Sequence, residues 1–60
     1  MPIVHVDLWE GRTEEQIKEI IKGITDVFVK MGSKPESVRV LIQDYQKTHW
    51  GTKGKPASEQ

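Results

Sequence analysis

The chain has 60 residues, nine Lys plus Arg against nine Asp plus Glu, and no cysteine. Formal neutrality removes the broad positive field that would hold a nucleic-acid backbone or an anionic membrane, and the missing thiols remove disulfides and thiolate metal sites. A chain this short buries only about 60% of the surface that its unfolded form exposes, so oligomerisation is the expected supplement to one small core.

The chain opens Met1-Pro2. Removal of the initiator Met1, which is usual before a small side chain, leaves Pro2 as a free secondary amine at a fixed structural position. An unperturbed α-amino group titrates near pKa ~8, so a modest depression makes a base usable at neutral pH. By itself this is weak, because proline also occupies position two for no catalytic reason. The start has neither the basic nor the apolar region of a signal peptide, and no apolar stretch approaches the ~20 residues that cross a bilayer. A cytoplasmic protein is expected.

Residues 3–9 alternate as Val4, Val6, Leu8 against Ile3, His5, Asp7, Trp9, which predicts a strand with one strongly apolar face and one mixed face. Glu10-Gly11-Arg12 breaks it. Thr13 and Gln16 form a capping box, and Ile17, Ile20, Ile21, Ile24, Val27, Phe28 and Met31 recur at spacings of three and four, so a helix is expected over about 13–31. Gly32 suits the left-handed closure of that helix, and Pro35 blocks its resumption. A second strand is expected at about 38–45, where Val38, Val40, Leu41, Ile42 and Tyr45 concentrate.

The predicted unit is β-α-β with parallel strands, of the α/β (α+β) class, in a single domain over 1–60. One helix covers one sheet face, so the bare face is expected to pair with identical subunits. The arm 46–60 carries Gly51, Gly54 and Pro56 around Trp50, which predicts a short hairpin or loop followed by a frayed end. Gly51-Thr52-Lys53-Gly54-Lys55-Pro56 lacks the spacing of a phosphate loop and reads as a turn.

Pro2, Arg12, Arg39 and Trp50 together could serve a small dicarboxylate or enol acid. Pro2 supplies the base, the two guanidinium forks suit carboxylate oxygens, and a cation within ~4–6 Å of the amine disfavours its protonation. Arg39 falls in an otherwise apolar strand, where an unpaired guanidinium is costly. It must reach solvent, a carboxylate such as Asp7 or Asp44, or a ligand. Trp50 can wall a pocket or pack as core. His5 and His49 read as packing or hydrogen-bonding residues, and Lys47, Lys53 and Lys55 as solvated tail charges.

Met1-Pro2-Ile3, Leu8-Trp9-Glu10-Gly11-Arg12-Thr13-Glu14-Glu15-Gln16, Ser37-Val38-Arg39-Val40-Leu41-Ile42 and Lys47-Thr48-His49-Trp50-Gly51, in this order and spacing, resemble the 4-oxalocrotonate tautomerase family. The resemblance covers nearly the whole chain. It implies a homohexamer built as a trimer of dimers, with sites shared between subunits and no cofactor or metal. It implies an isomerase of aromatic degradation that converts 2-hydroxydienoates such as 2-hydroxymuconate to 2-oxo isomers. Pro2 then acts as base and acid, Arg39 binds the carboxylate and 2-oxo end, Arg12 the distal carboxylate, and Trp50 lines the pocket where the family commonly has Phe. Trp9 replaces an aliphatic residue whose backbone is expected to help bind substrate, and the Gly32-Ser33-Lys34-Pro35 connection is one residue shorter than in some relatives. Relatives that hydrate or dehalogenate unsaturated acids add a carboxylate near the chain end, and His49-Trp50-Gly51-Thr52-Lys53 offers none. A self-assembling scaffold or small-acid binding module remains the rival; a proline of depressed pKa separates the enzyme from it.

Overall fold

A computed structural model describes all residues, Met1–Gln60. Strand β1 spans Ile3–Trp9, helix α1 Glu14–Lys30 and strand β2 Arg39–Tyr45. β1 and β2 pair in parallel, with Ile3 opposite Arg39 at one end and Trp9 opposite Tyr45 at the other. This is the β-α-β arrangement that the hydrophobic periods demand: period two in the strands, three to four in the helix.

The local chemistry explains both helix ends. Thr13 is the N-cap: its hydroxyl accepts from the Gln16 N–H at 3.1 Å, and its own N–H donates to the Gln16 side chain at 3.0 Å. Two of the orphan donors at the helix start are thereby satisfied, an arrangement worth about 1 kcal/mol. At the far end Gly32 takes φ 105°, and Ser33 N–H donates to Phe28 C=O while Gly32 N–H donates to Val29 C=O, each at 3.0 Å. These two bonds make a Schellman closure, and only glycine takes its left-handed step without steric cost.

Three boundaries differ from the sequence expectation. β2 begins at Arg39, one residue late, because Pro35–Ser37 form a 3₁₀ turn that delivers Val38 to the core before pairing begins. Residues 47–49 add a second 3₁₀ turn ahead of the short strands β3, Gly51–Thr52, and β4, Lys55–Pro56. Lys53 and Gly54, with φ 57° and 80°, make the two-residue turn between them, which requires positive φ at both central positions. The end of the chain is ordered. Ala57–Glu59 form a 3₁₀ turn, Ala57 N–H donates to Trp50 C=O at 2.7 Å, and the Gln60 amide donates to the carbonyls of Thr52 and Lys55. Composition favoured fraying, but these bonds tie the end to its own hairpin.

α1 lies over the sheet along β2 and half-buries Ile17, Ile20, Ile24 and Phe28 against the face carrying Val4, Val6, Leu8, Val40 and Ile42. Val38, 8% exposed, is the one buried residue. Ile21, Val27 and Met31, which share the helical period with the core residues, are exposed along the edges of α1. The opposite sheet face is open, with Ile3 65% and Leu41 52% exposed. The accessible surface is 4863 Å², against about 4000 Å² for a self-contained monomer of this mass. That surplus, roughly 850 Å², is close to the ~800 Å² that one partner contributes to a stable interface. The radius of gyration, 14.4 Å against about 10 Å for a compact chain of this length, agrees with a thin slab carrying an arm.

Candidate active site

The parallel register decides which candidate residues meet. Pro2 is half-buried immediately before β1, and its carbonyl accepts the Arg39 N–H at 3.0 Å. Arg39 is the first residue of β2 and is exposed, so its charge reaches solvent at the end of the sheet. Its Nη1 donates to the Glu36 carbonyl across the 3₁₀ turn. Neither Asp7 nor Asp44, weighed as partners from sequence, pairs with it. Asp7 is instead taken by His5 Nε2 at 3.1 Å and by the Tyr45 hydroxyl, which donates at 3.0 Å. His5 is therefore a hydrogen-bonding residue on the open face.

Arg12, Trp9 and Trp50 gather at the other end. Gly11, at φ 115°, turns the chain out of β1, and Arg12 Nη1 donates to the Trp9 carbonyl at 2.9 Å. The Trp50 ring meets both Trp9 and Tyr45 edge to face, each at 5.8 Å between centroids. Such T-shaped contacts place the positive ring edge against a negative ring face and fix all three orientations. The arm thus folds onto the open sheet face, and this is why Tyr45 breaks the alternating exposure of β2.

A seven-residue strand rising ~3.3 Å per residue separates these two groups by about 20 Å. One chain therefore brings Pro2 to Arg39 and Arg12 to both tryptophans, but does not bring the pairs together. It encloses no cavity. A site using all of them requires the Arg12 end of one copy to meet the Pro2 end of another.

Sequence reasoning passed over Tyr45 and Lys47. Lys47 stays exposed, and its Nζ lies 4.7 Å from the Trp9 ring centroid, a cation–π contact added to a solvated charge. Pairing Trp9 with Tyr45 was the missing signal, because it puts residue 47 just beyond the aromatic end. Asp7, by accepting the Tyr45 hydroxyl, raises that phenol above its ordinary 10.0. The sign follows: the folded state holds the proton more tightly, so this stabilisation is present below pH ~10 and lost as pH rises through the folded pKa. Tyr45 is the only tyrosine, so an ultraviolet titration reads it directly. The midpoint should lie above 10.0 and fall back in Asp7→Ala; a midpoint at or below 10.0 in the unmodified protein contradicts the contact.

The family model for tautomerase enzymes matches residues 2–60. The chain belongs to the tautomerase family. It is accordingly an enzyme of the isomerase class. Among relatives, the probable tautomerase SH1546 of Staphylococcus haemolyticus is 38% identical over 60 residues, covering 98% of this chain and 97% of its own. A solved structure of the 4-oxalocrotonate tautomerase isozymes of Methylibium petroleiphilum is 34% identical with a TM-score of 0.89, over 97% of this chain and 92% of that one. A heterohexameric 4-oxalocrotonate tautomerase from Chloroflexus aurantiacus is 27% identical with a TM-score of 0.88, over 98% of this chain and 97% of that one. No helix of this tautomerase is long and apolar enough to cross a membrane.

Proposed function

We propose that this tautomerase catalyses cofactor-independent enol-keto proton transfer on small 2-hydroxydienoates such as 2-hydroxymuconate, with Pro2, freed by removal of Met1, as acid and base. The observation that carries this reading is the bond from Arg39 N–H to Pro2 C=O, which fixes a permanent cation's residue directly beside the amine-bearing one. The family match also begins at Pro2.

In this reaction the Pro2 lone pair takes the enol hydroxyl proton. The O–H electrons form the new C=O, the enol π electrons shift to carbon, and that carbon takes the proton back from the prolinium. Bonds and protons balance without an oxidant: the 2-oxygen supplies the electron pair and the protonated carbon receives it. Arg39 binds the adjacent carboxylate and stabilises charge growing on the 2-oxygen, which is the main electrostatic contribution to rate. Arg12 holds the distal carboxylate; Trp50 and the Trp9 segment wall that end.

The chain assembles, on this reading, into a homohexamer built as a trimer of dimers. The unfilled sheet face, the surplus surface and the ~20 Å gap between half-sites all support assembly, and a Chloroflexus relative is a heterohexamer, which supports six subunits. The test is ketonisation of 2-hydroxymuconate, followed by ultraviolet absorbance, using protein whose N-terminal Pro2 has been verified by mass spectrometry. Turnover that disappears on N-terminal blocking is the expected result. Absence of turnover with a verified free Pro2 would leave the scaffold reading in its place.

A further inference from the structure

Trp9 gathers two cations. Arg12 Nη1 is bonded to its carbonyl at 2.9 Å, and Lys47 Nζ stands 4.7 Å from its ring centroid. The indole is held from a third direction by the Trp50 ring, which is itself braced on Tyr45, so the platform beneath Lys47 is fixed by packing. Both cations are exposed at the same end of the sheet and can take an anionic partner. The ion pairs in the chain are His5–Asp7 and Lys22–Asp26, so neither Arg12 nor Lys47 has a carboxylate partner. This holds although Glu10, Glu14 and Glu15 lie close in sequence to Arg12. Arg12 spends one N–H on the Trp9 carbonyl and keeps the rest of its fork for another acceptor.

We propose that Lys47 is a second substrate-binding cation, which with Arg12 receives the distal carboxylate of the substrate and so selects dianionic enol acids over monoanionic ones. This deepens, and rests on, the enol-acid reading of the site. A distal carboxylate satisfies both cations at once, whereas a monoanionic acid that places its carboxylate at Arg39 leaves them facing an apolar substrate end. The discrimination comes as much from that uncompensated pair as from the attraction. Trp9 has a role beyond its backbone: an aliphatic residue there would offer no ring to hold the ammonium.

The experiment compares 2-hydroxymuconate with the monoacid 2-hydroxy-2,4-pentadienoate in the unmodified enzyme, Lys47→Met and Lys47→Arg. Met keeps the apolar stem without the charge. The ratio of kcat/KM for the dicarboxylate over the monoacid should fall about fivefold in Lys47→Met, the scale of a partly exposed ion pair, mainly through KM of the dicarboxylate, and should be retained in Lys47→Arg. The same ratio is read without chemistry from adipate and hexanoate binding, followed at the indole N–H resonances. An unchanged ratio in both measurements overturns the role of Lys47, as does an equal loss for both acids. If neither enol acid turns over yet adipate is preferred to hexanoate and Lys47→Met abolishes that preference, the proposed reaction fails while the dicarboxylate site stands.

Discussion

Protein extended by one residue ahead of Pro2, or retaining Met1, should lose kcat by about 10²–10⁴-fold, the range that a positioned acid-base group supplies. The physical reason is electronic. Once acylated, the proline nitrogen is a tertiary amide whose lone pair is delocalised into the carbonyl, and it neither accepts nor returns a proton at neutral pH. The arginines are untouched by this change, so KM should move little, and the two effects are separable in one steady-state experiment. Met1 is 82% exposed, so an extra residue meets open space in the single chain and should not disturb β1. Mass spectrometry of the assayed sample must identify its first residue. Full activity in the blocked protein would remove Pro2 from the chemistry altogether.

The second large effect concerns the arginines. Arg39→Ala should lower kcat by about 10²–10³-fold, as expected for loss of a donor that stabilises charge developing in the transition state. Arg39→Lys should recover only part, because a point charge does not reproduce the planar fork. Arg12→Ala should mainly raise KM for a dicarboxylate, by about tenfold, the scale of one charge-assisted hydrogen bond. The geometry adds a sharper form of the test. Arg12 and Pro2 lie at opposite ends of β1, ~20 Å apart, so the proposed site would draw them from different copies. Co-assembly of Pro2→Ala chains with Arg12→Ala chains should then recover part of the low KM that Arg12→Ala chains alone lack, by forming some sites with both native residues. A KM that stays at the Arg12→Ala value, in mixed assemblies verified by mass, would mean that Arg12 does not act at the Pro2 of another copy.

Much of the fold was legible because its signals are local. The Thr13 and Gln16 capping pair, Gly32 at the helix exit and the alternation of residues 3–9 each act within a few residues, and each is present in the structure. The misses were of two kinds. The 3₁₀ turn at Pro35–Ser37 delays β2 to Arg39, and this depends on a proline geometry that strand propensity does not weigh. The folded end, tied by Gln60 to the carbonyls of Thr52 and Lys55, depends on partners several residues away that composition does not reveal. The helix stripe was too broad for the same reason. Ile21, Val27 and Met31 fit the period, but a two-stranded sheet is too narrow to cover them.

Sequence alone determined the main element types and their order, raised the expectation of a partner, and singled out Pro2, Arg12, Arg39, Trp9 and Trp50 as the residues worth placing. Periodicity, capping and charge are properties of short segments and survive without knowledge of the whole. Tertiary structure decided who stands beside whom. Pairing Ile3 with Arg39 and Trp9 with Tyr45 puts Pro2 against Arg39 and sends Arg12, both tryptophans and Lys47 to the far end. Register is a collective choice, made where two distant segments bury their apolar faces together, and a slip of one residue would turn every side chain to the other face. For that reason the division of the site into two half-sites, and the second cation over Trp9, came only with the fold.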